Sequence, residues 1–354
     1  MALLDFMPLY VSCSISFSSA WYHHHAGSRY TEDILGDPVA RYEQSKREWE
    51  CRINKYPEFF EREKDSPPRP YLGIGVPTNP KIFGCKVKFR EHMDAHALPL
   101  LKPDDDPKSL KLPDVQEGMN WVYEEIDTLL DAGWKRKELG LPDLQGPLNT
   151  SMKLVGDQRM LRLIASKKRA GDVRHVLEVA SDLYIEVHQS LRKATERAVD
   201  GGFTASGCTY FYISPKHFEN FIIPIVKKCE VLGEAGLHHC GEAPTEKIEA
   251  YAKYPWRNVT FGFGSDLKLA RKLMIHPKLG PIQFGCRISP FRMLNQPAEQ
   301  ITKDVEWILE NVKGGPAGIH LVGCPNGTPE ENLWALWNAV KAYNDKKAEE
   351  EEEE

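Results

Sequence analysis

The carboxyl-terminal half of the chain alternates short apolar runs with longer amphipathic stretches. The short runs are rich in glycine, aromatic and β-branched residues, which is typical of buried strands. They cover residues 202–208, 236–240, 258–264, 281–288 and 317–324. The amphipathic stretches cover residues 215–232, 244–254, 266–276, 297–313 and 329–343, and several of them open with proline in the first turn. This repeated strand-then-helix order predicts a parallel sheet with crossover helices.

The first half has a weaker pattern, with long helix-like segments at residues 38–64, 115–132 and 171–200. Asp37 is placed to cap the first segment, and Pro57 is expected to kink or split it. Neither an internal repeat nor a convincing linker divides the 354 residues. We therefore predict the α/β class, as a (β/α)8 TIM-type barrel with N-terminal additions. Residues 1–348 would form a single domain, in which residues 1–70 are an extension with helices and residues 71–348 form the barrel.

The composition is that of a globular protein, with 41% hydrophobic residues, a formal net charge of -5 and a pI near 6.2. This charge balance does not indicate a nucleic-acid partner, and no apolar run reaches the ~20 residues of a membrane span. The 8 cysteines are dispersed without a Cys-x-x-Cys motif, and residues 1–7 lack the basic start of a signal peptide. We expect a cytoplasmic protein whose acidic residues 349–354 form a disordered tail.

A His-x-Cys motif at residues 238–240 carries the most specific chemistry. Side chains alternate faces along a strand, so His238 and Cys240 point to one side and His239 to the other. Cys324 ends a second predicted strand, and the chemistry of α/β barrels lies at the carboxyl ends of strands. One imidazole and two thiolates make three zinc ligands, the number that catalytic zinc sites use while a fourth position stays open. We predict a zinc site at His238, Cys240 and Cys324.

Other interpretations of these residues remain open. The histidine and the cysteines can be ordinary core residues, because free cysteine is often simply buried. Cys208 and Cys286 also lie near predicted strand ends and are alternative ligands. His320 precedes Cys324 by an even number of strand positions, so it is expected on the same face but deeper.

A second group of residues is predicted to bind the substrate. It consists of Tyr22, His23, His24, Tyr210, Tyr212 and Asp266. The first three belong to an aromatic and histidine-rich segment that suits an aromatic or anionic substrate group. The two later tyrosines follow a predicted strand, where they would shape the pocket or pack in the core. Asp266 begins a predicted helix and is either a substrate contact or an N-terminal cap.

Three segments carry a resemblance to a known family. They are residues 214–218 (SPKHF), residues 285–290 (GCRISP) followed by 296–301 (QPAEQI), and residues 323–333 (GCPNGTPEENL). Residues 83–87 and 143–149 match more loosely. From about residue 38 to residue 343 the chain resembles the uroporphyrinogen decarboxylase superfamily.

Two branches of that superfamily differ in their motifs. The decarboxylase branch carries an N-terminal Arg-Gln-Ala-Gly-Arg signature and an early-strand aspartate, and it needs no metal. This chain has neither, and its early segment 71–77 (YLGIGVP) contains no acid. The methyltransferase branch, which includes the methylcobamide:coenzyme M enzymes, carries a His-x-Cys and a distant cysteine as zinc ligands. Those positions correspond to His238, Cys240 and Cys324.

The resemblance implies a zinc-dependent methyltransferase. It would move a methyl group between a small substrate and the cobalt of a corrinoid, the substrate being a methoxylated or methylated compound or a thiol such as coenzyme M. A role as an O-demethylase component is included. The chain has no corrinoid-binding Asp-x-His-x-x-Gly motif, so the corrinoid is expected on a separate partner protein. The alternatives are a metal-free enzyme similar to uroporphyrinogen decarboxylase that acts on a tetrapyrrole, and a non-catalytic barrel that binds a corrinoid or tetrapyrrole.

Overall fold

A computed structural model describes residues 10–353 of the protein. The strands are β1 (Ser12–Phe17), β2 (Val87–Arg90), β3 (Met93–Ala97), β4 (Phe203–Ser206), β5 (Ala235–His238), β6 (Asn258–Gly262), β7 (Ile275–His276), β8 (Gly280–Pro281), β9 (Gln283–Ile288) and β10 (Ala317–Cys324). The helices are α1 (Ser19–Ala26), α2 (Glu32–Leu35), α3 (Pro38–Lys55), α4 (Thr78–Ile82), α5 (Val115–Gly118), α6 (Asn120–Asp131), α7 (Pro147–Val155), α8 (Asp157–Ala165), α9 (Ala170–Ala194), α10 (Pro215–His217), α11 (Ile223–Lys228), α12 (Thr245–Tyr251), α13 (Leu267–Leu273), α14 (Pro290–Asn295), α15 (Ala298–Asn311) and α16 (Glu330–Glu353). The predicted α/β class is confirmed.

The chain divides into two compact units. The sheet unit contains the described residues up to Trp21 and those from Gly236 onward, and the helical unit runs from Tyr22 to Ala235. The predicted single domain over residues 1–348 concerns how the units combine, and it stays a prediction.

The sheet unit is built on parallel strands in the order β1, β10, β9, β6, β5. The helices α12, α13, α15 and α16 follow β5, β6, β9 and β10 in the chain, so each strand-then-helix step predicted from the hydrophobic pattern is present. The strand β1 was not predicted, although it joins this sheet beside β10.

One face of this sheet is apolar and tightly buried. In parallel strands, residues that pair in register point to the same face. The apolar face carries Ile15, Leu237, Val259, Phe261, Phe284, Cys286, Ile288, Ile319 and Leu321, each 5% exposed or less. Burial of these side chains stabilises the unit by about 1.5–3 kcal/mol per large residue.

The other face of the sheet is polar and rich in glycine. It carries Ser12, Ser14, Gly236, His238, Asn258, Thr260, Gly262, Gln283, Gly285, Arg287, Gly318 and His320. A Cβ atom at Gly285 would lie 3.0 Å from Thr260 Oγ1, and one at Gly318 would lie 2.4 Å from Ser12 Oγ. Either Cβ would also lie 3.1 Å from His320 Nε2, so glycine at both positions makes room for the imidazole across the strands. We call this surface the polar face.

The helical unit packs around the long helix α9, whose buried side chains recur at helical spacing, as the sequence predicted. Within this unit Arg41 and Glu125 form an ion pair, with Nη2 and Oε2 2.9 Å apart and the side chains 1% and 5% exposed. Glu125 also accepts a hydrogen bond of 2.7 Å from the backbone N–H of Gly73. These contacts compensate the desolvation of both charges.

Several helix boundaries agree with the sequence signals. Asp37 caps α3, because its carboxylate accepts from the N–H groups of Val39 and Ala40 at 2.8 and 3.1 Å. The helix ends at Lys55, before Pro57, as the expected break requires. The predicted helix 215–232 contains a π-helical turn at Phe218–Ile222. Pro224 explains this turn, since it lacks the N–H that would bond to the carbonyl of Asn220.

The acidic end of the chain differs from its prediction. The helix α16 continues through Glu349 to Glu353, where the sequence predicted a disordered tail. Glutamate is a good helix former, and Lys346 Nζ lies 3.9 Å from Glu350, an i, i+4 pair that offsets part of the repulsion between like charges. Glu354 and residues 1–7, on which the absence of a signal peptide was argued, lie outside the described residues.

In the described part of the chain, every helix is too short or too polar to traverse a lipid bilayer.

Candidate metal centre

His238 and Cys240 come together at the carboxyl end of β5. Pairing with β6 continues past the last residue of β5, because the N–H of His239 donates to Thr260 O at 2.9 Å and the N–H of Gly262 donates to Gly241 O at 2.8 Å. The chain therefore stays extended, and side chains two positions apart share a face. His238 Nε2 lies 2.9 Å from Cys240 Sγ. The predicted convergence of these two side chains is present.

His239 points to the opposite side, also as expected. It is fully buried, and its Nδ1 lies 3.1 Å from the hydroxyl of Tyr251 on α12. Burial lowers the pKa of His239 to about 4, so the imidazole is neutral at neutral pH. His239 therefore belongs to the helix layer.

Arg287 is the charged neighbour of the pair. It lies in β9, and its Nη1 donates to Cys240 Sγ at 3.0 Å and lies 3.4 Å from His238 Nε2. The guanidinium is always charged, so its contact with the sulfur is charge-assisted. Imidazole, thiol and guanidinium thus meet at the carboxyl edge of the polar face.

His320 lies beside Arg287, because the two residues pair in register between β9 and β10. Its Nδ1 is 2.7 Å from Ser14 Oγ on β1. Burial, and then the positive charge of Arg287, lower the pKa of His320 below its ordinary value. His320 is therefore a neutral group held by Ser14 on the polar face.

Cys324 lies just after an irregular step in the pairing of β10 with β1. Ile15 pairs with Leu321 but Phe17 pairs with Cys324, so β10 takes three residue steps where β1 takes two. Gly323 has a φ of 72° at this bulge. The extra residue places Cys324 alongside Phe17, on the side of the apolar face, and the cysteine is 1% exposed.

This bulge breaks the even spacing from His320 to Cys324 on which their shared face was predicted. Among the described residues 10–353, Cys324 does not belong to the group around His238 and Cys240 that could hold a metal ion. Burial raises the pKa of Cys324 to about 11, so its thiol stays protonated at neutral pH. The assignment of Cys324 as the third ligand stays a prediction. Cys208, an alternative thiol, is exposed and follows β4 in the helical unit.

The donor set of His238 and Cys240 fits two positions of a zinc site. Zinc binds sulfur at ~2.3 Å and imidazole nitrogen at ~2.0 Å with tetrahedral geometry, which places the two donor atoms roughly 3.5 Å apart. The Nε2–Sγ separation of 2.9 Å is within a small side-chain movement of that spacing.

The residues predicted to bind substrate have varied environments. Tyr22 and His23 are half-buried and His24 is exposed. His23 Nδ1 lies 2.8 Å from Ser28 O, and burial raises the pKa of Tyr22 to about 12.

The later substrate candidates also differ in their burial and contacts. Tyr210 is buried against Phe218, with ring centroids 5.3 Å apart, whereas Tyr212 is 67% exposed. Asp266 caps α13, because its carboxylate accepts from Leu269 N at 3.0 Å. The cap is thus established for Asp266, and the substrate-binding roles of the six residues stay predictions.

Comparison with known proteins identifies the family. The family model described as uroporphyrinogen decarboxylase (URO-D) matches residues 72–343. The chain belongs to the uroporphyrinogen decarboxylase family. The resemblance recognised from the sequence motifs is therefore confirmed.

A solved structure agrees with this membership. The protein is similar to a methyltransferase from Methanosarcina mazei, with a TM-score of 0.64 and 16% sequence identity over 95% of each chain. At this identity the likeness shows the fold. Together with the parallel sheet and the URO-D match, it supports the TIM-type barrel predicted from the sequence. A search of curated proteins found no match.

The sequence pattern was not used to assign a role to Ser14 or Arg287. Both residues lie in segments where polar and apolar positions alternate, which is a detectable signal of a polar face. In residues 12–17, serine at positions 12, 14 and 16 alternates with Cys13, Ile15 and Phe17, which is the period of a strand with one polar face. In residues 284–288, Phe284, Cys286 and Ile288 alternate with Gly285 and Arg287 in the same way.

Proposed function

We propose that this protein is a zinc-dependent methyltransferase. It moves a methyl group between a small substrate and the cobalt of a corrinoid on a separate protein. The observation that carries the proposal is the 2.9 Å approach of His238 Nε2 to Cys240 Sγ. The pair stands at the carboxyl edge of the sheet in a URO-D family member, and the methyltransferase that shares the fold supports this direction.

When bound, zinc supplies a Lewis acid for a thiol, oxygen or nitrogen atom of the substrate, and the corrinoid supplies the cobalt that exchanges the methyl group. The chain's own residues bind and orient. His238 offers its Nε2 lone pair and Cys240 its sulfur, while the backbone pairing of Thr260 and Gly262 holds both in place. A third thiolate, Cys324 or Cys208, completes the proposed ligand set.

The remaining parts of the proposal concern the surroundings of the centre. Tyr22, His23, His24, Tyr210, Tyr212 and Asp266 are proposed to shape the substrate site. The substrate is a methoxylated or methylated compound or a thiol such as coenzyme M, and an O-demethylase role is included. The 8 cysteines are dispersed without a Cys-x-x-Cys motif, which supports a cytoplasmic location.

The test combines metal analysis with methyl transfer. We expect about one zinc per chain in the purified protein, and formation of the methyl–cobalt absorption band when cob(I)alamin and a methylated substrate are added. Cys240→Ser should lose the metal and reduce transfer more than about 100-fold, because a thiolate ligand is removed. Cys51→Ser is the matched control, since Cys51 is a half-buried thiol on α3 in the helical unit.

The metal-free alternative makes the opposite prediction. A tetrapyrrole decarboxylase would keep its activity after chelation and would not respond to Cys240→Ser. Decarboxylation of a tetrapyrrole by metal-free protein would overturn the zinc proposal and favour this alternative, for which Arg287 would serve as a carboxylate contact.

A further inference from the structure

We infer that Arg287 is the specificity-determining residue for an anionic substrate, one that carries a carboxylate or a sulfonate. The inference deepens the proposed function, because it names the substrate class of the same site. It rests on the contacts of Arg287 and on the character of the polar face.

The guanidinium of Arg287 has hydrogen-bond donors that remain available to a ligand. One nitrogen, Nη1, contacts Cys240 and His238. In the part of the chain that the structure describes, its Nε and Nη2 meet neither a carboxylate nor a backbone carbonyl. The buried side-chain atoms that lack a hydrogen-bond partner do not include these two nitrogens. Both nitrogens are therefore open to solvent. A guanidinium with two free nitrogens can bind a carboxylate or sulfonate through parallel hydrogen bonds.

The other arginines near the sheet are used differently. Arg271 is saturated by backbone carbonyls, with Nε 2.8 Å from Val312 O, Nη1 2.6 Å from Ile282 O and Nη2 2.7 Å from Pro316 O. Arg292 makes a two-pronged contact with Asp304 at 2.6 and 2.8 Å. These two arginines hold the fold together. Arg287 is instead half-buried on the polar face with its fork incompletely used.

Among the described residues that form it, the polar face carries no carboxylate side chain. Its in-register positions on β1, β5, β6, β9 and β10 carry serine, glycine, asparagine, glutamine, threonine and histidine, with Arg287 as their charged member. His320 is neutral, since burial lowers its pKa. The glycines at positions 285 and 318 make room for the imidazole of His320, which lies beside Arg287. A small anion therefore finds one fixed positive charge beside the His238–Cys240 pair.

Paired small molecules that differ in charge test the inference. Calorimetry would compare 3-methoxybenzoate with 3-methoxybenzamide, and 2-mercaptoethanesulfonate with 2-mercaptoethanol, on the full-length protein. The wild type should bind at least one anion about 10-fold or more tightly than its neutral counterpart. The two pairs separate carboxylate from sulfonate recognition.

Arg287→Gln should weaken binding of the preferred anion about 10- to 100-fold and leave the neutral molecule unchanged, because only the charge-assisted contact is lost. Arg287→Lys keeps the charge without the fork and should retain part of the preference. The melting temperature of each variant and its zinc content verify that the fold and the metal site persist. Equal affinity of the wild type for both members of each pair, or an Arg287→Gln protein that is folded and keeps the preference, would overturn the inference.

The outcome is separable from that of the proposed function. The same titrations are repeated on protein treated with chelator. A charge preference that depends on Arg287, in a protein that never binds zinc, would refute the zinc proposal and keep this inference. Zinc binding and methyl transfer, combined with equal affinity for anionic and neutral compounds, would support the zinc proposal and refute this inference.

Discussion

His188 is a half-buried residue on α9 whose two ring nitrogens are buried and lack hydrogen-bond partners in the described part of the chain. Among residues 10–353, neither ring nitrogen has a partner, and the ring contacts Tyr184 edge-on with centroids 4.4 Å apart. Burial, and then the positive charge of Arg192, lower the pKa of His188 to about 3. The unfolded chain restores an ordinary pKa of about 6.5. His188 therefore couples folding to pH.

The sign of this coupling follows from which state binds the proton. Above pH ~6.5 His188 is neutral in both states and its titration does not change the free energy of unfolding, whereas below it the unfolded state gains a proton that the folded state does not bind. At pH 5 we expect the free energy of unfolding to be lower than at pH 7 by about 2 kcal/mol from this residue. His188→Leu should remove that part of the pH dependence in urea titrations. The same pH dependence in the variant would contradict the assignment.

The sequence correctly predicted which face a side chain of the centre occupies only where the strand is regular. His238 and Cys240 were predicted correctly to converge, because extended pairing continues through Gly241. The shared face of His320 and Cys324 was wrong, because it assumed a strand without a bulge. The glycine before Cys324 was visible in the sequence, but its positive φ depends on the pairing with β1, and β1 was not predicted.

At the scale of elements, the bulge in β10 depends on Gly323. Its φ of 72° lies in the left-handed region, and a Cβ there would meet nothing within 4 Å. A side chain at this position is therefore unfavourable because of the backbone conformation and not because of a steric clash. Gly323→Ala should lower the free energy of unfolding by about 1–2 kcal/mol.

Gly171 provides the matched control for this substitution. It lies in the first turn of α9, has an ordinary helical φ, and also has nothing within 4 Å of its Cβ position. Gly171→Ala should be neutral or stabilise by up to about 1 kcal/mol. Urea unfolding of both variants measures the difference, and equal effects would show that the bulge does not need glycine.

The hydrophobic pattern predicted elements best where a strand is followed by a helix. The strand 317–324 was predicted to the residue, and those starting at 236 and 258 to within about two residues. The short strands β2 and β3 form an antiparallel hairpin that the pattern missed. Residues 87–90 alternate apolar and charged side chains over only 4 residues, and β3 begins with two successive exposed positions, Met93 and Asp94. The alternation that marks a strand is therefore short and irregular here.

At the scale of the whole molecule, the sequence predicted the family more readily than it predicted which residues meet across strands. The motifs at residues 285–290 and 323–333 indicated the family, and the match over residues 72–343 confirmed it. The charge on the polar face was not predictable in the same way. It depends on Arg287, His320 and Ser14 meeting across three strands, and strand order is set by tertiary packing rather than by local sequence.

Metal binding should be measurable as stability of the whole chain. A ligand that binds only the folded state stabilises it by RT ln(1 + [L]/Kd), about 2.7 kcal/mol at 100 times Kd. Zinc added to chelator-treated wild type should therefore raise the melting temperature, and Cys240→Ser should abolish the increase. Comparing Cys324→Ser with Cys208→Ser then identifies the third thiolate, because only the ligand's loss should reduce the zinc-dependent shift. An unchanged melting temperature of the wild type at saturating zinc would contradict a metal centre at His238 and Cys240.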